Sequence, residues 1–305
     1  MSSAGTQGAE ARAGWALAGA TLAVSFSAIL IRIAADDAAT IVWLRMGMAT
    51  VLLAPWLLRA RPRARSAVSW RRAAVVCVSG LLLAGHFLFW TASLNYTSIA
   101  ASVLLVSLHP LMVMPLASRL LGDRVPPRAI AGTALALAGT LVTCVADFRL
   151  NSTALLGDLL ALAGAACLAG YLLIGRGLRT RMGVATYSGS VYAVVCVTAA
   201  VTALAGRTAH MPSARVAAVC AALAVVCTMA GHTVYNWALR HVRAATVSVA
   251  FLGEPPLTAL LGALILGSIP SVTTVVGGVL ILAGVALSIL QPQARSRADV
   301  AVALE

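Results

Sequence analysis

A single glutamate lies in the middle of an apolar stretch in the last quarter of the chain. Glu254 is about ten residues into the segment 244–267, which at ~1.5 Å per helical residue places it ~15 Å deep in a membrane. An ionised carboxylate at that depth costs about 2.5 kcal/mol or more, so the side chain is expected to face a bundle interior. Glu254 is therefore the first candidate for binding a proton or a cation. The alternative is a neutral structural carboxyl group that is hydrogen-bonded to a neighbouring helix.

Three histidines lie deep within other apolar stretches: His86, His109 and His232. Because imidazole exchanges protons near neutral pH, these residues and Glu254 are suited to a proton relay. A buried histidine is also commonly a neutral hydrogen-bonding group. The sequence leaves both interpretations open.

Arg45 is the one arginine predicted well within a membrane segment rather than at its end, about one turn below the outer boundary. Its planar guanidinium suits the carboxylate of an anionic substrate, whereas its long side chain would equally extend to the membrane surface. Three larger polar or aromatic residues are candidates for lining a solute cavity: Trp90, Tyr171 and Asn236.

Two prolines, Pro110 and Pro255, interrupt apolar segments in the two halves of the chain. Proline removes a backbone donor and frees the carbonyl group one turn earlier. The result is either a simple packing kink or a broken helix that presents backbone groups to a cavity.

The segments that carry these residues are typical of a protein embedded in lipid. The chain is 61% hydrophobic and 10% charged, whereas soluble domains have about 25% charged residues. A bilayer core of ~30 Å takes about 20 apolar residues in a helix. Ten stretches meet that requirement: 15–33, 40–58, 73–94, 98–118, 129–147, 157–175, 184–205, 216–239, 244–267 and 272–290. The predicted fold class is all-α integral membrane.

The arginines predict the orientation of these segments. All 22 basic residues are arginine; with a cytoplasmic N-terminus, 17 fall on the inner side and 4 on the outer side. Basic residues tend to remain in the cytoplasm, so both termini are predicted to be cytoplasmic. Exclusive use of arginine, beside abundant Ala, Gly and Val, is typical of GC-rich coding and favours a bacterial plasma (inner) membrane.

Several function classes are disfavoured. The arginines lie between apolar segments rather than on one face beside stacking aromatics, which argues against a nucleic-acid partner. Without lysine there is no phosphate-binding lysine and no Schiff-base cofactor. The six cysteines lack metal-ligand spacing. Two Leu-Gly-Asp triplets, at Asp123 and Asp158, map to opposite membrane faces, which is too far apart for the paired carboxylates of an intramembrane aspartyl protease. We expect no cofactor, no metal site and no enzymatic activity.

The second half of the chain repeats the first. Gly85-His86 recurs as Gly231-His232, 146 residues later, and Pro110 recurs as Pro255 at an offset of 145. A glycine ladder recurs at the same offset of 145: Gly122, Gly132 and Gly139 match Gly267, Gly277 and Gly284. Glycines seven residues apart share a helix face and suit close helix packing or a homodimer.

This repeat predicts the architecture. The chain divides into a cytoplasmic N-terminal tail (1–13), a first five-helix repeat (14–148), a second five-helix repeat (149–290) and a cytoplasmic C-terminal tail (291–305). Because five is an odd number, the second copy must enter the membrane in the opposite orientation. Ten transmembrane helices in two inverted repeats are typical of transporters, with a binding site near the midplane.

The order and spacing of these motifs resemble the EamA-type permeases of the drug/metabolite transporter superfamily. The resemblance covers the whole chain and includes Trp43-Leu44-Arg45, Glu254-Pro255 and the glycine-rich fifth and tenth helices. It implies transport of metabolites, amino acids or drugs across the plasma membrane, often outward and often coupled to protons. The chain departs from the family in having His109 where the second half has Glu254, and no carboxylate at Gly267-Ser268-Ile269.

The sequence therefore predicts a secondary active transporter that exports small molecules by proton-coupled alternating access. Its partners are a small-molecule substrate, the lipid bilayer and, in one interpretation of the glycine ladders, a second copy of the chain. The alternatives are a lipid-handling flippase and a non-transporting membrane scaffold.

Overall fold

The computed structural model describes residues 3–59, 69–97, 99–123, 125–144, 152–266 and 271–289. These residues are nearly all helical, and none of them forms a β-strand. The helices are α1 (Ser3–Val24), α2 (Ser27–Ala34), α3 (Ala38–Arg59), α4 (Trp70–Ser93), α5 (Ile99–Val106), α6 (His109–Leu121), α7 (Pro127–Cys144), α8 (Ser152–Arg179), α9 (Val184–Ala205), α10 (Ala214–Ala222), a π-helix (Leu223–His232), α11 (Thr233–Ala238), α12 (Ala244–Phe251), α13 (Glu254–Leu266) and α14 (Val272–Ile289).

Consecutive helices combine into ten apolar segments. Eight are long and apolar enough to cross a membrane: Arg12–Ala34, Ala38–Arg59, Trp70–Ser93, Ala101–Leu121, Thr153–Arg179, Val184–Ala205, Ala214–Ala238 and Ala244–Ile265. Two shorter apolar helices, Pro127–Val142 and Val272–Ser288, take the fifth and tenth places. The predicted all-α integral membrane fold of ten helices is confirmed. Helices suit such sequences because in lipid every backbone polar group must be satisfied within the segment.

Corresponding segments of the two halves pack in corresponding ways. α4 packs on α8 in the same manner as the π-helix packs on α1. A Cβ atom added to Gly85 would lie 2.9 Å from the sulfur of Cys167, and one added to Gly231 would lie 2.5 Å from Cγ1 of Val24. The glycine that precedes each matched histidine therefore lies at a close crossing of helices.

Four glycines of the predicted ladders lie where α7 crosses α14: Gly132, Gly139, Gly277 and Gly284. Gly122 instead ends α6 with a positive φ of 68°, and a Cβ added to it would have nothing within 4 Å. A Cβ atom added to Gly139 would lie 2.6 Å from the carbonyl oxygen of Gly277, and one added to Gly284 would lie 2.5 Å from the backbone nitrogen of Ala136. Close backbone approach through small residues is typical of helix association in membranes. The four glycines at this crossing contribute to packing within one chain, while Gly267 lies outside the described residues.

Both proline-containing segments are interrupted. α5 ends at Val106 and α6 begins at His109, and α12 ends at Phe251 and α13 begins at Glu254. His109 and Glu254 are thus each the first residue of the second helical piece, directly before a proline. The first segment is also interrupted, between α1 and α2.

The eighth segment contains an unusual π-helix of 10 residues. Ser69 and Ser213 cap the starts of α4 and α10 through their hydroxyl groups. His86 lies 17 residues after Ser69, whereas His232 lies 19 residues after Ser213. A π-turn holds more residues than an α-turn. The π-helix therefore accommodates the two extra residues, so His232 still faces His86.

Candidate functional site

A narrow cavity, with room for about one water molecule, lies among the interrupted segments. Six of the ten segments contribute to its walls. The residues that line it are Val24, Ser27, His86, Trp90, Val106, Ser107, His109, Leu168, His232, Phe251 and Glu254. Five of the eight residues predicted to line a substrate or proton pathway are thereby brought together: Glu254, His86, His109, His232 and Trp90.

Glu254 contributes the one carboxyl group among the residues lining this cavity. Within the described chain, its carboxyl oxygens have no hydrogen bond and no ion pair. Its backbone carbonyl accepts a long hydrogen bond of 3.5 Å from Ser25 at the break in the first segment. The interruption of the helix thus directs an acidic group, which is otherwise unsatisfied, into the cavity.

His86 is held in one orientation by the backbone of α8. Its Nδ1 donates a hydrogen bond to the carbonyl of Gly164 at 3.1 Å. Its ring is parallel to that of Trp90, with centroids 6.2 Å apart and an interplanar angle of 2°. Since Nδ1 carries the proton, Nε2 of the neutral ring is an acceptor.

His109 is positioned by the proline that follows it. Pro110 has no backbone N–H, so it cannot donate to the carbonyl of Val106 four residues earlier. Nδ1 of His109 donates to that carbonyl instead, at 2.9 Å. The ring lies perpendicular to Phe251, with centroids 5.6 Å apart.

His232 lies at the centre of the aromatic wall. Its ring centroid is 6.5 Å from His86, 5.8 Å from Phe251 and 4.9 Å from Phe87. Two nitrogens of cavity-lining residues are buried without a hydrogen-bond partner in the described chain, Trp90 Nε1 and His232 Nδ1, and Nε2 of His109 has at most a weak contact with the backbone of Ser248. Native proteins rarely leave several buried polar atoms unsatisfied in one place, so this cluster is suited to a polar ligand.

Arg45 is buried behind this wall rather than extended to a surface. Its side chain is 1% exposed, Nε donates to Oγ1 of Thr228 in the π-helix at 2.7 Å, and Cζ lies 4.6 Å from the ring centroid of Phe87. One terminal nitrogen, Nη2, has no hydrogen-bond partner among the described residues. The guanidinium forms no ion pair with a described carboxylate.

The other two predicted residues, Tyr171 and Asn236, lie outside the cavity lining in a buried polar network. Tyr171 donates a hydrogen bond to Oδ1 of Asn236 at 2.5 Å, and Nδ2 of Asn236 donates to Ser188 at 3.0 Å. Arg179 donates from Nε to the carbonyl of Asn236 at 2.8 Å and from Nη1 to the carbonyl of Met182. This network joins α8, α9 and α11.

Sequence reasoning did not single out Thr228, Phe87, Phe251 or Arg179. Thr228 and Phe87 contact Arg45 from distant parts of the chain, and Phe251 is one of many apolar residues in its helix. The one available signal was Phe87, which directly follows a matched histidine.

A separate polar cluster lies outside the membrane-length segments. Nε2 of His210, in the loop before α10, lies 3.1 Å from a carboxylate oxygen of Asp36, in the loop before α3. A hydrogen bond to the carbonyl of Thr208 and the neighbouring carboxylates raise the pKa of His210. The cluster therefore connects one loop from each half of the chain.

Comparison with known proteins gives a family match and a transporter relative. The model of the EamA-like transporter family matches residues 12–145 and again residues 155–290. A protein of Archaeoglobus fulgidus described as an "Uncharacterized transporter" is 26% identical over 270 residues, covering 87% of this chain and 92% of that protein.

A solved structure named only "Crystal structure of protein" has a similar fold. Its TM-score is 0.76 at 22% identity, and the match covers 92% of this chain and 97% of that chain. At this identity the likeness concerns the fold alone. The two family matches together span most of the sequence and confirm the resemblance to the drug/metabolite transporter superfamily. The chain belongs to the EamA-like transporter family.

Proposed function

We propose that this membrane transporter is a secondary active, proton-coupled exporter of small organic molecules such as metabolites, amino acids or drugs. Family membership and the transporter relative support a transporter rather than an enzyme. The cavity supplies a site for the solute, and Glu254 supplies a site for the proton.

The observation that carries this proposal is the unsatisfied carboxyl group of Glu254 in an aromatic and histidine-lined cavity. A protein interior tolerates a carboxyl group in either protonation state only when its surroundings adjust to the charge. The three histidines and Arg45 are the groups that would sense that change, because they surround the cavity or lie behind its wall. Protonation of Glu254 thus has the means to alter the conformation of the site.

Alternating access is the mechanism that this geometry supports best. The cavity lies where three interrupted segments meet, and such interruptions allow one helical piece to move against the other. The network of Tyr171, Asn236 and Arg179 joins three helices beside the cavity. In our proposal this network closes one route out of the cavity and separates when that route opens.

The direction of transport and the membrane are part of the same proposal. The family resemblance favours export, and the arginine distribution of 17 inner to 4 outer residues favours a bacterial plasma membrane with both termini in the cytoplasm.

The test is solute movement in proteoliposomes under an imposed pH gradient, with amino acids, sugars and cationic drugs as the solutes. Wild type is compared with Glu254→Gln, which keeps the side-chain size but cannot ionise. Asp158→Asn is the matched control, because Asp158 accepts a hydrogen bond from Thr97 and does not line the cavity. We expect gradient-driven movement in wild type and Asp158→Asn and its loss in Glu254→Gln. Proton-coupled transport that persists in Glu254→Gln would contradict the proposal, and lipid scrambling without solute movement would favour a flippase.

A further inference from the structure

The charges around the cavity are unequal in kind. Arg45 carries a positive charge that arginine keeps inside proteins, whereas Glu254, as the one cavity-lining carboxyl group, can be negative or neutral. The guanidinium attracts the Glu254 carboxylate electrostatically but forms no ion pair with it. A buried charge without a close counter-ion is unfavourable and in membrane segments usually has a functional role.

The other groups facing Glu254 do not change this balance. In our inference His86, His109 and His232 are neutral, because a buried imidazolium would add a further uncompensated positive charge beside Arg45, and Tyr235 shares a hydrogen bond with Thr21 at 2.8 Å. The empty site is therefore electrically neutral when Glu254 is ionised and carries one positive charge when Glu254 is protonated.

Building on the proposed function, we infer that the cavity, once it widens during transport, binds an organic anion with an aromatic or apolar body, and that it does so together with a proton on Glu254. A monoanion restores neutrality when Glu254 is protonated, so both the loaded and the empty site have no net charge. Only those two states would then change conformation readily, and the anion and the proton would move in the same direction. Export would follow the outward gradient of the anion itself.

The unsatisfied donors of the site favour an anion over a cation. Trp90 Nε1, which lines the cavity, is a buried donor without a partner in the described chain, and Arg45 Nη2 is a second such donor behind the wall. The oxygens of an acid group would accept from Trp90 and be attracted by the charge of Arg45. A cation offers Trp90 no acceptor and is repelled by Arg45. Trp90, Phe251 and the histidines give the cavity wall an aromatic character, which suits contact with an aromatic body in the ligand.

The test uses two aromatic probes whose charge does not vary with pH: benzenesulfonate, which is always anionic, and phenyltrimethylammonium, which is always cationic. Each probe is loaded into proteoliposomes that contain a pH-sensitive dye, and its efflux is followed together with the internal pH. We expect benzenesulfonate to leave with protons, so that the interior becomes alkaline, and phenyltrimethylammonium to stay.

Variants separate charge from packing. Arg45→Met should lower benzenesulfonate efflux about ten-fold or more, as expected for the loss of a buried charge partner, while Arg45→Lys retains part of it. Arg32→Gln, at an exposed arginine of α2, should have no effect. Glu254→Gln should lose net efflux but keep the exchange of internal for external benzenesulfonate, because the loaded site remains neutral and the empty site does not.

Two results would overturn the inference. One is movement of phenyltrimethylammonium against protons while benzenesulfonate stays. That result would support proton-coupled transport but would show that the site prefers cations to anions. The other is equal benzenesulfonate efflux by Arg45→Met in correctly folded protein. If benzenesulfonate, phenyltrimethylammonium and every solute of the wider panel failed to move, the proposed function would fail as well.

Discussion

The hydrogen bond between Arg45 and Thr228 provides a direct test of how the π-helix supports the site. Nε of Arg45 lies 2.7 Å from Oγ1 of Thr228, a distance typical of a strong bond from a charged donor. Thr228→Val keeps the shape of the side chain and removes the acceptor. Because Nη2 of the same guanidinium already lacks a partner, the variant leaves a second buried donor of one cation unsatisfied.

The expected loss of stability is set by the strength of such hydrogen bonds in soluble and in membrane proteins. Hydrogen bonds to charged groups in soluble proteins contribute about 1.5–3 kcal/mol, whereas side-chain hydrogen bonds within membrane proteins average ~0.6 and reach ~1.7 kcal/mol. We expect a loss of about 1.5 kcal/mol in the free energy of unfolding, near the upper end of the membrane range, because the donor is charged and its side chain is buried.

The assay is reversible unfolding in mixed detergent micelles with a double-mutant cycle. Thr198→Val is the matched control, since within the described chain the Thr198 hydroxyl bonds only to the carbonyl of Val194 in its own helix and its loss should cost well under about 1 kcal/mol. In the Arg45→Met background, Thr228→Val should cost less, because the charged donor is gone and only the bond from the Thr228 hydroxyl to the carbonyl of Leu223 is lost. Equal losses for Thr228→Val with and without Arg45 would refute the reasoning.

Two further predictions concern packing and pH. Gly139→Ala should lower the free energy of unfolding by about 1–3 kcal/mol, because the new Cβ lies 2.6 Å from a backbone oxygen of α14; Gly19→Ala, with nothing within 4 Å, is the control, and equal stability of both variants would contradict the close crossing. The raised pKa of His210, caused by the Thr208 carbonyl and then by Asp36, means that folding favours the protonated ring. Its stabilising effect should be complete below the pKa of the unfolded chain and disappear as the pH rises through the folded pKa, so melting temperatures of wild type and His210→Ala should differ at low pH and converge at high pH.

Apolar runs of membrane length predict the ten segments well because few other structures satisfy the backbone in lipid. Glu254 and the histidines could be grouped from the sequence as one candidate site because the internal repeat matches their positions. Their convergence depends on helix breaks that proline also signals. For these elements, local chemistry and the final structure agree.

Other features could not be predicted for equally physical reasons. Tyr171 and Asn236 lie deep in their segments, as expected, but face a polar network rather than the cavity. Hydropathy sets the depth of a residue in a fully apolar segment but not the direction in which its side chain points. The Thr228 partner of Arg45 is 183 residues away in sequence, and the π-helix changes which face of the segment carries it.

The two halves share a backbone plan but differ in the side chains that face the site. Trp90 follows His86 by four residues and lines the cavity, while Asn236 follows His232 by four residues and bonds to Tyr171 and Ser188 instead. Likewise His109 and Glu254 begin corresponding helical pieces, but only Glu254 carries an acid. In the alternating access that we propose, matched halves would make the two orientations similar in energy, and asymmetric side chains would decide which orientation is favoured at a given protonation state. Replacing Asn236 by tryptophan would remove one such difference, and we expect it to weaken the network beside Arg179 and shift the resting conformation.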